Sequence, residues 1–341
     1  MAQTPEPQAI LMAPVEAAMF LVLCVGEGAE DDLRDVLADV SGLIRSVGFR
    51  APDGGLGCVV GLGSELWDRL FGPPRPAELH PFAGVSGERH TAVATPGDLL
   101  FHIRAHRLDL CFELAQRLVE RLRGSAEVIE EVHGFKSFDE RDLLGFVDGT
   151  ENPVGAAAPE AVVIGEEDPA FAGGSYVLVQ RYLHDLTAWD ALSVGEQERI
   201  VGRTKLNDIE LPDEVKPSNS HVALNTIVDD DGQQRQVVRY NMPFGRVGDG
   251  EFGTYFIGYA RTPDVLEQML TNMFLGSPPG NYDRILDFST AVSGSLFFVP
   301  TAAFLDDPPE PGVPAASLAD DVAVGEDDDI SLGIGGMRWT R

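Results

Sequence analysis

Residues 18–47 read AMFLVLCVGEGAEDDLRDVLADVSGLIRSV, and their order decides the fold. Residues 18–25 form an unbroken apolar run closed by Gly26, the pattern of a buried strand. From residue 31 to 47, Leu33, Val36, Leu37, Val40, Leu43, Ile44 and Val47 recur at three- and four-residue spacing, which predicts a helix with one apolar face. Working outward, residues 56–62 and 98–103 read as strands, 108–122 as an amphipathic helix and 128–133 as a short strand. The order is β-α-β-β-α-β, the ferredoxin-like arrangement. A second series follows. Strands are expected at 175–183, 221–228, 236–240, 253–259 and 294–299, and helices at 193–202, 262–274 and 281–288. Ser193 with Glu196 forms a capping box, and Thr262 with Pro263 reads as an N-cap followed by proline at the first helical position.

These elements predict an α+β chain of two ferredoxin-like halves, 17–150 and 151–305, joined near residues 138–175. The halves repeat in element order rather than in residue identity. Residues 1–16 are Pro-rich and read as a loose arm. Residues 306–329 alternate acidic and proline clusters with small residues and read as a disordered linker, because they bury too little apolar surface to offset ordering entropy.

The chain has 341 residues, enough for about two domains, and 44% of them are apolar. It carries 55 acidic against 25 basic residues, a net charge of -30. A surface this negative repels phosphate backbones and anionic lipid, which argues against nucleic-acid and membrane partners. Three cysteines, Cys24, Cys58 and Cys111, are too few for a disulfide framework; buried thiols in a reducing compartment are expected. No Lys or Arg precedes Arg34, so the apolar run at 18–25 lacks the positive flank of an export signal. No apolar run approaches the ~20 residues of a membrane span. A soluble, cytoplasmic protein is the expectation.

The seven histidines show no HExxH pattern, and GxSxG, Walker and GxGxxG signatures are missing. Three stretches stand out instead. In Gly145-Phe146-Val147-Asp148-Gly149-Thr150-Glu151-Asn152-Pro153, glycines bracket one carboxylate beside apolar residues. Such a carboxylate has its proton affinity raised, which suits a proton shuttle. In Arg239-Tyr240-Asn241-Met242-Pro243, strand alternation puts Arg239 and Asn241 on one face and Tyr240 on the other, so a cation and an amide converge. In Asn219-Ser220-His221-Val222-Ala223-Leu224-Asn225, a histidine enters an apolar run, where an imidazole held by an acceptor becomes a metal ligand. Asp283 and Asp287 are candidate acceptors. Taken alone, each stretch also reads as plain structure: a turn, an exposed arginine, a satisfied histidine.

In combination and at these separations, the three stretches resemble the dye-decolorizing peroxidases, most closely the bacterial subgroup packaged in encapsulin shells, over residues 18–305. The resemblance implies two ferredoxin-like halves forming an α+β barrel with haem b in the second half. It implies His221 as the axial iron ligand, with Asp283 (or Asp287) on its imidazole, and Asp148, Arg239 and Asn241 as the distal groups that act on hydrogen peroxide. Arg203 and Lys205 are the cations expected at the haem propionates. Tyr240, Tyr255 and Trp189 are candidate relays for single electrons from dye-like or phenolic donors, with packing as the plainer reading of each. A homo-oligomer is expected. A haem carrier and a protein that removes iron from haem are the alternatives. Finally, Ile330, Leu332 and Ile334 lie two apart, on one face of an extended chain. Residues 330–341 resemble the SLGIGSL-type peptide that docks cargo on encapsulin, departing from it at Gly336-Met337. The linker would span roughly 25–30 Å as a coil.

Overall fold

Ala17–Val25 forms strand β1, and its continuous apolar run is explained by burial on both faces. Met19, Leu21 and Leu23 face a layer of helices, while Ala18, Phe20 and Val22 face inward. The computed structural model describes residues 6–311 apart from Asp230. β1 pairs antiparallel with β3 (Leu99–Ala105) and β4 (Ala126–Phe135), and β3 pairs with β2 (Gly57–Leu62). The order β2-β3-β1-β4, with helices Glu30–Gly48 and Leu108–Arg121 on one face, is the ferredoxin-like half expected from the sequence.

The second half repeats the plan. β5 (Ser175–His184) pairs with β8 (Glu251–Ala260), β9 (Ser289–Ala291) and β10 (Ser295–Val299). Two short strands, β6 (Val238–Arg239) and β7 (Met242–Arg246), share the outer edge of β8. Helix Asp264–Phe274 covers the sheet with Leu266, Met269, Leu270 and Met273. The two half-sheets join at β10 and β2 through the single pair Phe298↔Leu62. At the other seam Gly134 of β4 lies against Met242, so close that a Cβ on Gly134 would sit 2.5 Å from the Met242 Cβ. No ladder joins β4 to β7 among the described residues, so the sheet is not closed there and its two edges meet by packing alone. Between the sheets, Phe20, Tyr255, Tyr259 and Phe297 are fully buried; truncating such an aromatic costs about 3–5 kcal/mol.

Several expectations are corrected. The described part of the segment read as a loose arm, 6–16, is docked. Gln8 bonds the backbone of Val60 through both amide atoms (2.9 and 2.8 Å) and the Pro300 carbonyl (2.9 Å), and Ile10 is buried. Residues 221–228, read as a strand, begin with the short helix His221–Asn225. Residues 281–288, read as a helix, contain one 3₁₀ turn, Arg284–Asp287. The strand read at 236–240 shrinks to Val238–Arg239. The capping box of Ser193 and Glu196 is present. The linker expected at 306–329 lies outside the described residues beyond residue 311, as does the whole of 330–341.

Candidate functional site

His221 owes its position to a cap. The Ser220 hydroxyl accepts from Ala223 N–H and starts a one-turn helix with His221 as its first residue. Asn272 of helix Asp264–Phe274 anchors that turn by donating to Leu224 O at 3.0 Å. Asp283 is fully buried. Its Oδ1 caps the 3₁₀ turn by accepting from Ile285 N–H (3.0 Å), and its Oδ2 accepts from His221 Nδ1 at 2.7 Å. With Nδ1 donating, Nε2 is the unprotonated nitrogen, and it bonds to nothing among the described residues. The imidazole is 29% exposed and lines a half-open cavity. Asp287 is engaged elsewhere, with His90 (3.2 Å) and Tyr282 (3.0 Å). Of the two acceptors left open by the sequence, geometry selects Asp283.

The glycine-bracketed loop forms another wall. Gly145 has φ +91°, a conformation that favours glycine; a Cβ there would also push aside the end of the Lys205 side chain. Asp142 ties the loop by accepting from Phe146 N–H at 2.9 Å. Asp148 is held through its own N–H to Glu140 O (3.0 Å), and its carboxylate lines the cavity without a hydrogen bond among the described residues.

Arg239 and Asn241 also line the cavity, as alternation requires, and Tyr240 turns the other way. The Asn152 amide grips Arg239 at both backbone groups, accepting from its N–H (2.8 Å) and donating to its C=O (2.7 Å). The Asn241 side-chain oxygen accepts from Ile257 N–H at 3.1 Å, standing in for a ladder bond and leaving its NH₂ free. In a chain of net charge -30, the Arg239 guanidinium forms no ion pair among the described residues, and its buried Nε has no partner.

The two expected propionate cations part company. Arg203 lines the cavity, but its guanidinium is taken by Asp208 (2.8 Å) and Glu151 (2.6 Å). Lys205 is not a cavity wall. Its ammonium donates to Gln197 (2.7 Å) and lies 5.5 Å from the Phe146 ring, so it braces the loop. Trp189 and Tyr255 are fully buried. The Trp189 indole donates to Leu144 O at 2.9 Å, and the Tyr255 hydroxyl donates to Glu130 at 3.1 Å inside the barrel.

Two cavity residues escaped sequence reasoning. Burial pushes the Asp142 carboxyl up to about 7, with the nearby Asp148 charge adding to the rise against the loop's hydrogen bonds. Burial lowers the His184 imidazole to about 4; its nitrogens are both engaged, with Ser289 (2.8 Å) and Thr254 (2.9 Å), so it is neither a free base nor a free ligand. The parity of β5, which points Tyr182 and His184 to one face, was the available signal.

Fold and site together define a two-half α+β protein with a pocket that is apolar on the helix side and furnished with a fixed imidazole, a carboxylate and a guanidinium that has no ion pair among the described residues. Such a set can hold a metal through the imidazole and handle protons and negative charge beside it. The chain belongs to the Dyp-type peroxidase family: the family's N-terminal domain model matches residues 7–136 and its C-terminal domain model residues 139–304. A dye-decolorizing peroxidase of Rhodococcus erythropolis is 60% identical over 97% of both chains. That of Mycobacterium tuberculosis is 62% identical over 89% of this chain and 90% of its own. Among solved structures, the encapsulated DyP-type peroxidase from Mycobacterium smegmatis superposes with a TM-score of 0.88 at 61% identity, covering 89% of this chain and 99% of that one. DyPB from Rhodococcus jostii RHA1 gives 0.87 at 56%, with the same coverage. Among the described residues, no helix is long and apolar enough to cross a membrane.

Proposed function

We propose that this peroxidase holds haem b in the cavity with His221 Nε2 on the iron, reduces hydrogen peroxide and oxidises bulky dye-like or phenolic donors one electron at a time. The supporting observation is the 2.7 Å bond from His221 to the fully buried Asp283. The residues fit the group: an unprotonated ring nitrogen faces the cavity, Leu266, Met269 and Leu270 give it an apolar wall, and Arg239 brings an unpaired cation. When bound, the haem supplies the redox centre that accepts oxidising equivalents from peroxide and passes them to donors. Asp283 gives the imidazole anionic character, which raises its strength as a ligand. Asp148 takes the proton from one peroxide oxygen and returns it to the other, so that water leaves. Arg239 stabilises the negative charge that develops as the O–O bond lengthens. Asn241, with its NH₂ free, holds peroxide by a hydrogen bond. Arg203, on the cavity wall, would have to exchange its bond to Glu151 to meet a propionate.

The chain's last residues extend the proposal. Ile330, Leu332 and Ile334 form the address that docks a homo-oligomer of this enzyme inside an encapsulin shell in the cytoplasm. The encapsulated state of the Mycobacterium smegmatis protein supports this. The test is an absorption scan of the purified protein before and after peroxide, with donor then added. Peroxide-dependent change that the donor reverses supports the peroxidase. No change would indicate a haem carrier, and free porphyrin an iron-removing protein.

A further inference from the structure

The carboxylate that holds His221 caps a single 3₁₀ turn, Arg284–Asp287, and so short a turn has poor hydrogen-bond geometry of its own. Backbone bonds tie it on the inner side. Asp283 N–H donates to Met273 O (2.9 Å), and Arg284 N–H donates to Asn219 O (3.3 Å), two residues before His221. Asp287 ties it on the outer side. One oxygen of that carboxylate accepts from the Tyr282 hydroxyl (3.0 Å), and the other makes a longer contact with Arg284 Nε (3.4 Å). Tyr282 and Arg284 are the two neighbours of Asp283 in the chain, so Asp287 gathers both flanks of the residue that touches the imidazole.

The remaining partner of this hub comes from the other half of the chain. His90 lies in the turn of a two-stranded hairpin, Val85–Ser86 with Thr91–Ala92, and its Nε2 donates to Asp287 Oδ1 at 3.2 Å. Its ring also packs on Tyr282, with centroids 5.1 Å apart, and the neighbouring Arg89 donates to the Tyr282 hydroxyl at 3.2 Å. Gly87 seats the hairpin. Its N–H donates to His90 O (2.9 Å), and it lies so close to the Phe274 carbonyl that a Cβ would overlap it. Phe274 follows Met273, whose carbonyl holds the Asp283 N–H. The hairpin thus grips the Asp283 segment at two points. The side chains of His90 and Asp287 are 24% and 29% exposed, and a pair this exposed adds little to stability. What it constrains is the direction of the turn.

We propose that His90 and Asp287 are positioning residues for the axial ligand: the hairpin of the first half sets the angle at which the Asp283 carboxylate meets His221 Nδ1. The proposal rests on the reading of His221 as the haem ligand. A hydrogen bond weakens steeply as its donor–acceptor angle closes, so a turn free to rock weakens the His221–Asp283 bond without breaking it. The imidazole then has less anionic character and is a weaker ligand.

The test is resonance Raman spectroscopy of the ferrous holoenzyme, read at the iron–imidazole stretch, with the reduction potential measured in parallel. His90→Leu, Tyr282→Phe and Asp287→Ala should each lower the stretching frequency and raise the potential, in the same direction as Asp283→Asn and by less. His90→Gln, whose amide reaches Asp287 in place of the imidazole, should return both values to those of the wild type. The urea midpoint of His90→Leu should stay near that of the wild type, which separates positioning from loss of structure. A stretch that moves in Asp283→Asn but stays fixed in His90→Leu and Tyr282→Phe would overturn the clamp and leave the ligand assignment standing, and this holds even if Asp287→Ala does not fold. Equal shifts in His90→Gln and His90→Leu would overturn it too. A wild-type spectrum with no iron–histidine band would remove the ligand reading and the clamp together.

Discussion

The side chain of Asn152 closes both backbone hydrogen bonds of Arg239, at 2.8 and 2.7 Å, across 87 residues of sequence. One amide thus fastens the loop that carries Asp148 to the strand that carries Arg239, so the carboxylate and the cation move as a unit. Asn152→Ala should lose about 1–3 kcal/mol of stability, because two partly buried backbone groups are left unpaired. It should also slow the reaction with peroxide. Chemical denaturation and stopped-flow mixing measure the two effects; a destabilised variant with unchanged peroxide kinetics would show that the clamp does not position Arg239.

Arg239→Leu should slow the reaction with peroxide by about 10²-fold or more, the scale for losing a preorganised charge-stabilising group. Asp148→Asn keeps the shape and removes the base, so the ratio of the two losses apportions the work between them. Unchanged rates in both variants would sink the assignment of this wall to peroxide.

His221→Ala should fold and retain little haem. Asp283→Asn should retain haem but lose the anionic character of the imidazole, which raises the reduction potential. Haem stoichiometry and spectroelectrochemistry decide, and a normal histidine-ligated spectrum in His221→Ala would refute the ligand.

The pH dependence of stability has a sign fixed by His184. Its imidazole titrates near 6.5 when free and near about 4 when buried, so between these values the unfolded chain binds the extra proton. Stability from this group is complete above about 6.5 and falls as the pH drops toward 4, by up to about 3 kcal/mol. His184→Gln, which can keep hydrogen bonds to Ser289 and Thr254, should flatten that part of a stability curve measured by urea titration at a series of pH values.

Much of the architecture could be read from local pattern. The spacing of Leu33, Val36, Leu37 and Val40 places a helix without help, and Ser193 with Glu196 marks a helix start by chemistry alone. The His221 turn was misread because Val222-Ala223-Leu224 is too short an apolar run to distinguish the two periodicities; the Ser220 cap was the discriminating residue. Asp148, Arg239 and Asn241 were recognisable by motif, and all three line the cavity. His90 and Gln8 were not, because their meaning depends on partners 197 and 292 residues away. Asp142 drew no attention since its environment exists only once the loop has folded.

Deleting residues 330–341 should abolish co-purification with a co-expressed encapsulin shell and leave peroxide turnover intact, while the same peptide fused to an unrelated protein should load it. Many copies per shell would add avidity to a modest single contact. Encapsulation of the truncated enzyme would remove Ile330, Leu332 and Ile334 from the address.

The Gln8 clamp has a consequence for synthesis on the ribosome. Its partners include the Pro300 carbonyl, and Pro7 bridges Thr301, so the clamp is completed only once residue 301 has cleared the exit tunnel. The first half can collapse on its own helices earlier, but its inward-facing Phe20 and Val22 wait for the second sheet. Completion of the clamp is therefore a late event that reports assembly of the body. It also brings residues 7 and 301 side by side.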